Sequence, residues 1–225
     1  MGDSKKKEVK AVLFDLDGTL TDSALDLSIS VNYMLEKLGF EPQPLENIYR
    51  YIGRGVRNML AQALGQDRAT ELEKGMDIFR QHYWEHCLDN TSLYPGARDA
   101  IEQLNGFKKA VVTNKTRMFA VKVLEGLNVA HYFDIILGGD DYPALKPSPT
   151  PIIIACEKIN ESAENSLMVG DSIPDMQCAV SAGAMACGVT YGLGTRVELL
   201  NNGAQWLINS LLDLPKLIQK INKNF

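Results

Sequence analysis

Beyond Tyr94-Pro95 the chain alternates short apolar runs with amphipathic stretches, and this alternation constrains its fold more than any other feature. The runs are Lys109–Val112, Asp134–Leu137, Ser166–Val169, Met185–Val189 and the weaker Trp206–Ile208. Helical patterns over Ala97–Leu104, Met118–Leu127, Thr150–Lys158, Asp175–Ala182 and Leu211–Ile221 separate or follow them. A strand with one wet face would alternate apolar and polar residues. An unbroken apolar strand needs cover on both faces, which the helices of successive βαβ units supply. The pattern predicts an α/β fold built on a parallel sheet, with Ala11–Phe14 as its first strand.

The segment between that strand and the second obeys a different period. Leu25, Ile29, Met34, Leu35 and Leu38 fall close to one helical face, and Gly39 is a fitting stop. Leu45–Ile52, Val56–Leu64 and Ala69–Leu88 continue the helical pattern, separated by "GFEPQP", "GRG" and "GQD". The expectation is an all-helical insertion without strands over residues 20–91, leaving 1–19 and 92–225 as the sheet-bearing core domain.

Composition narrows the function classes. With 225 residues, 45% of them apolar, the chain can bury one large core or two modest ones. Its net charge of −5 is spread without blocks, so no basic face for nucleic acid is expected. Lys5-Lys6-Lys7 reads as a solvated N-terminal end. Apolar runs such as Ile152–Cys156 are too short to span a membrane, and no signal-peptide pattern opens the chain. Four scattered cysteines without a CxxC pair fit a reduced, cytoplasmic protein. Oligomeric state is not legible at this level.

Ligands of open parallel sheets bind beyond the carboxyl ends of the strands. Here those ends carry Asp15-Leu16-Asp17-Gly18-Thr19, then Thr113-Asn114-Lys115, then "LGGDD" leading to Lys146-Pro147, then Gly170-Asp171-Ser172 with Asp175 beyond. Asp15 and Asp17 alone could open a loop and cap the next helix. Convergence of Asp171, Asp175, Thr113 and Lys146 on the same edge favours chemistry instead. Crowded carboxylates repel and raise one another's pKa, and a divalent cation relieves this. An all-oxygen, histidine-free set suits Mg²⁺. Thr113 and Lys146 offer donors for phosphoryl oxygens. A strand-end carboxylate can then attack phosphorus, while a second carboxyl protonates the leaving alcohol and later activates water. Asp15 and Asp17 provide such a pair, and Gly18 permits the sharp turn between them and the ligand.

With "DLDGT", "VVTN", "KPSP" and "GDSIPD" in this order, the chain resembles the haloacid dehalogenase-like (HAD) superfamily of phosphohydrolases along essentially its whole length. "FDLDGTLTDS", "IGRGVRNML", "YPGA", "VVTNK" and "VGDSIPDMQCAVSAG" look like the phosphoglycolate phosphatase branch. The resemblance implies a doubly wound sheet with the first strand central, closed by a helical cap. It implies Asp15 as nucleophile and Asp17 as general acid/base. Mg²⁺ would sit on the Asp15 and Asp171 side chains and the Asp17 backbone carbonyl. Thr113, Asn114 and Lys146 would hold the phosphoryl group, supported by Gly18, Thr19, Ser172 and Asp175, the last orienting Lys146 or a metal-bound water. The implied activity is Mg²⁺-dependent hydrolysis of a small phosphate ester through an aspartyl-phosphate, with 2-phosphoglycolate as the expected substrate. Asp17 argues against dehalogenation. A β-phosphoglucomutase-like phosphosugar mutase, a pyrophosphatase and an inactive binding or regulatory protein of the same fold stay open.

Substrate choice is expected in the insertion. Gly53-Arg54-Gly55, flanked by Arg50 and Arg57, is either a loop whose Arg54 meets a substrate carboxylate or a solvated cationic stripe. Tyr83 and Trp84 read as core of the helical unit, and His82 and His86 as packing or solvated residues rather than a metal pair. "YGLGT" either borders the site mouth or is a plain glycine-rich loop.

Overall fold

The computed structural model describes residues 8–224. The Lys5–Lys7 run lies outside them. Four-residue β1 (Ala11–Phe14) is buried along its whole length, as its unbroken apolar sequence requires. The insertion follows as β2 (Thr21–Asp22), α1 (Ala24–Lys37), α2 (Leu45–Tyr49), α3 (Val56–Leu64) and α4 (Leu72–His86), and β3 (Ser92–Leu93) marks the return to the core. The alternating region is α5 (Ala97–Gln103), β4 (Lys108–Val112), α6 (Arg117–Gly126), β5 (Ile135–Leu137), α7 (Thr150–Lys158), β6 (Ser166–Gly170), α8 (Ile173–Ala182), β7 (Met185–Val189), α9 (Arg196–Asn201), β8 (Trp206–Ile208) and α10 (Leu214–Asn224).

Six strands form one sheet in the order β5-β4-β1-β6-β7-β8. Every pairing is parallel, with Phe14 opposite Val111 on one side and Val169 on the other. The fold is α/β and doubly wound: the chain leaves β1 toward β4 and β5, then returns to build β6 to β8 on the opposite side. Strand order therefore reverses beside β1, which opens a crevice at its carboxyl end. Val12 and Phe14 enter one apolar layer with Ile101, Leu214 and Ile218. Ala11 and Leu13 enter the other with Ile152, Met168 and Met176. Period-2 alternation sends neighbouring side chains to opposite faces, and here both faces are core.

The four helices of the insertion close on their own apolar cluster, which includes Leu27, Leu60, Phe79 and Tyr83. Phe119 and Val123 of α6 join that cluster, so the helical unit is seated on the sheet-bearing part through α6.

The insertion is not free of strands. Thr21 pairs with Leu93 and Asp22 with Ser92 in a two-stranded antiparallel ribbon where the chain leaves and re-enters the core. Two-residue strands carry no detectable period, which is why pattern reading misses them. Trp84 is also a correction, being 42% exposed with Lys122 Nζ over its ring at 3.9 Å. It lies one residue from the buried Tyr83 and so faces away from the bundle axis. Among the described residues, no helix is long and apolar enough to cross a membrane.

Candidate active site

β1 ends in a turn that only glycine can make. Gly18 has φ +86°, and a Cβ there would lie 2.2 Å from Asp171 Oδ2. The absence of a side chain lets the β1 turn press against the residue that ends β6. Thr19 Oγ1 donates to Asp171 Oδ1 at 3.0 Å, and the Leu193 N–H donates to Oδ2 at 2.7 Å. Of the two readings of "YGLGT", this favours the site border. Its Tyr191 hydroxyl also donates to the Thr19 carbonyl at 2.7 Å, tying the loop to the β1 turn.

Asp175 sits in the first turn of α8. One carboxylate oxygen accepts from the Ser172 N–H (3.0 Å) and hydroxyl (2.5 Å), forming a helix cap. The other accepts from Lys146 Nζ at 2.6 Å. Lys146 also donates to the Val112 carbonyl at 2.8 Å and stands 2.8 Å from Asp15 Oδ1. That last approach is an ion pair off the hydrogen-bonding direction, so buried Asp15 Oδ1 has no hydrogen-bond donor.

Asp15, Asp171 and Asp175 are all buried, and each offers an oxygen within 4.8 Å of the others. Burial first, then the Asp175 charge, pushes Asp15 up to about 6 against the pull of Lys146. Burial, with Asp175 and Asp15, pushes Asp171 up to about 8. Lys146 is held above its ordinary value, because Asp15 and Asp175 outweigh the opposing effect of burial. A single ammonium thus meets two of these three buried carboxylates, and Asp15 Oδ1 has no hydrogen-bond donor. An acidic, all-oxygen cluster of this kind fits a hard divalent cation.

Asp17 points elsewhere. Its carboxylate accepts from Ser23 Oγ at 2.5 Å and from Lys115 Nζ at 2.8 and 3.0 Å. Burial opposes the Lys115 charge, but the Asp17 carboxylate outweighs it and holds the ammonium above its usual range. The Asp17 side chain therefore lies outside the acidic cluster, leaving its backbone carbonyl as the atom the resemblance assigns to metal.

Asp15 and Asp17 floor a cavity of about 40 Å³ closed by the helical insertion. Leu27, Val56, Met59, Phe79 and Phe119 contribute apolar walls, with Thr113, Lys115 and Tyr83 among the polar residues. Asn114 also borders it, but its side-chain amide is committed. Nδ2 donates to the Gly53 and Lys146 carbonyls, both at 3.0 Å, and Oδ1 accepts from the Lys146 N–H at 2.9 Å. With both amide hydrogens used, this side chain clamps the insertion to the core and has no donor left for a phosphoryl oxygen.

Arg54 is not brought together with Asp15. It is exposed and lines open outer clefts, one of about 600 Å³ shared with Arg57 and Arg80. Gly53 and Gly55 line the inner cavity while the residue between them is turned outward. Arg57 pairs with Glu73 at 2.5 Å, and Arg50 lines a further outer cleft. His82 and His86 lie with ring centroids 4.4 Å apart and planes tilted by 32°, bonding Ser30 and Asp89 respectively.

Sequence reasoning missed Lys115 and Tyr83 as site residues. Lys115 follows Thr113-Asn114 directly, so its position at a strand end was a usable signal. Tyr83 carried none.

Fold and site together define a hydrolase-type α/β protein that gathers acids and lysines at the carboxyl edge of its sheet. The family model "Haloacid dehalogenase-like hydrolase" matches residues 12–189, and the chain belongs to that family. It is 36% identical to a phosphoglycolate phosphatase of Nitrosospira multiformis, over 94% of this chain and 96% of that one. It is 38% identical to a phosphoglycolate phosphatase of Neisseria meningitidis, over 95% of each chain. A solved structure of a predicted phosphatase from Clostridium acetobutylicum superposes with a TM-score of 0.86 at 30% identity, covering 95% of this chain and all of that one (100%).

Proposed function

We propose that the protein is a Mg²⁺-dependent phosphomonoesterase acting through an aspartyl-phosphate, with 2-phosphoglycolate as substrate and residues 20–91 as a cap. One observation carries the reading. Asp15 alone belongs both to the buried acidic cluster and to the floor of the closed cavity. A nucleophile for phosphoryl transfer needs both neighbours: positive charge on one side and the ester on the other.

Asp15, Asp171 and the Asp17 carbonyl would hold Mg²⁺, which neutralises carboxylate and phosphoryl charge when bound. Thr113 and Lys146 bind phosphoryl oxygens, and Asp175 keeps Lys146 aimed. An Asp15 oxygen attacks phosphorus, the ester P–O bond breaks, and Asp17 gives its proton to the departing alcohol. Asp17 then takes a proton from water, which attacks phosphorus and breaks the bond to Asp15, releasing phosphate.

The cavity supports a small organic leaving group. Its apolar walls suit a short carbon-bearing leaving group better than the second phosphate of pyrophosphate. The phosphoglycolate phosphatases among the relatives point the same way. The test is kcat/KM across 2-phosphoglycolate, ethyl phosphate, glucose 1-phosphate and pyrophosphate. Preference for either of the last two would overturn the substrate assignment.

A further inference from the structure

The cavity wall contributed by the insertion is apolar except at one atom. Of the residues lining it from α1, α3, α4 and the Ile52–Gly55 turn, Tyr83 alone carries a polar side-chain atom. Its ring is held face to face with Phe79 at 5.3 Å and edge-on to Phe119 at 5.1 Å. The residue is 1% exposed, and its hydroxyl makes no hydrogen bond of acceptable geometry although the Lys115 ammonium lies beside it. Lys115 Nζ lies 4.8 Å from the centroid of the same ring and is the single cationic group on the cavity lining.

A buried hydroxyl without a partner is costly, and a folded protein keeps one where something else will use it. Here Tyr83 borders the space next to Asp15 and Asp17, where a leaving group would lie. Burial raises the proton affinity of Tyr83, so the hydroxyl is a neutral donor that seeks an acceptor. Lys115 adds positive charge from the core side. The pair asks for an anion with two acceptor oxygens on a short carbon stem.

We propose that Tyr83 and Lys115 form the specificity subsite for the leaving group, and that the group they select is a carboxylate. This rests on the phosphomonoesterase reading above and deepens it. Tyr83 Oη donates to one carboxylate oxygen. Lys115 Nζ, which has three hydrogens, keeps its contact with Asp17 and extends another toward the substrate. The insertion then recognises the acid through a hydroxyl, while Arg54 stays outside.

The experiment compares matched esters with and without the acid, 2-phosphoglycolate and ethyl phosphate, in wild type, Tyr83→Phe and Lys115→Met. Wild type should favour the acid by tenfold or more in kcat/KM. Hydrogen bonds to charged groups are worth enough for Tyr83→Phe to cut that ratio about tenfold, mainly through KM for phosphoglycolate. Lys115→Met should lower it further. A second readout separates recognition from structure. Removing an unpartnered buried hydroxyl should raise the Tm of the ligand-free protein by about 2–4 °C while impairing use of the acid. An unchanged ratio in Tyr83→Phe would overturn the inference, as would a wild type without preference for the acid. In both cases hydrolysis of the two esters would leave the phosphatase reading standing. Hydrolysis of neither ester by wild type would overturn both.

Discussion

The two walls of the cavity are built on opposite plans. On the core side nearly every polar side chain is bound several times over: Asp175 by Ser172 and Lys146, Asp171 by Thr19 and Leu193, Asp17 by Ser23 and Lys115. On the insertion side the wall is hydrocarbon with one idle hydroxyl, that of Tyr83. Phosphoryl transfer is the same for every ester, so its groups gain from being held rigidly before substrate arrives. Recognition of one ester gains from a group whose partner is missing until the correct substrate supplies it. Loss of Asp15 or of the buried acids on the core wall should therefore abolish turnover of all esters. Those on the other wall should re-rank esters.

The largest effect expected is that of Asp15→Asn, which keeps the shape but removes the charge of the proposed nucleophile. Phosphomonoester hydrolysis is so slow without catalysis that kcat should fall by ~10⁴-fold or more for every ester. Turnover within tenfold of wild type, measured with p-nitrophenyl phosphate, would break the assignment of the core wall.

Removing metal should act almost as strongly. EDTA should abolish activity, and Mg²⁺ should restore it better than Ca²⁺, which takes more ligands at longer distances. Full activity in EDTA would show that Asp15 and Asp171 do not hold a metal needed for turnover.

Asp17→Asn should cost ~10²–10⁴-fold in the first step with phosphoglycolate, whose leaving alkoxide needs a proton. The nitrophenolate of p-nitrophenyl phosphate leaves without one, so its burst should suffer much less. Equal slowing of the two single-turnover bursts would rule out Asp17 as the acid.

A smaller effect concerns stability. Asp15 and Asp171 are raised to about 6 and about 8 by burial and neighbouring acids. Folded protein then binds more protons than unfolded protein between pH 4 and 8, so metal-free stability falls as pH rises through that window. Mg²⁺ relieves the repulsion it meets, and one pKa unit is worth about 1.4 kcal/mol. The Tm gain on adding Mg²⁺ should be at least about 4 °C larger at pH 8 than at pH 6. A gain independent of pH would mean that the cation binds elsewhere.

Arg54→Ala should have the smallest effect. Arg54 faces an open cleft, where a cation contributes little, and kcat/KM for phosphoglycolate should change by less than about threefold. A tenfold loss would move acid recognition from Tyr83 and Lys115 to Arg54.

The core of this reading was present in the linear chain. Unbroken apolar runs such as Ala11–Phe14 and Ser166–Val169 demand cover on both faces, and a parallel sheet puts whatever follows each run on one edge. Asp15, Asp171 and Asp175 were legible because each stands a few residues from such a run, whereas Lys146 follows Leu137 only after a long loop and was legible through the "KPSP" resemblance. Tertiary structure decided the rest. Lys115 meets Asp17 across 98 positions of sequence, and Asn114 spends its amide on Gly53 across 61. The face of α4 that carries Tyr83 is apolar by period, and period cannot say that this residue would line the same cavity as Asp15 and Asp17. Nor can it say that Arg54, between two glycines, would turn outward. Those outcomes depend on how the helical unit seats against Phe119 and Val123 of α6. That seating is set by non-local side-chain packing, which leaves no periodic trace in any one segment.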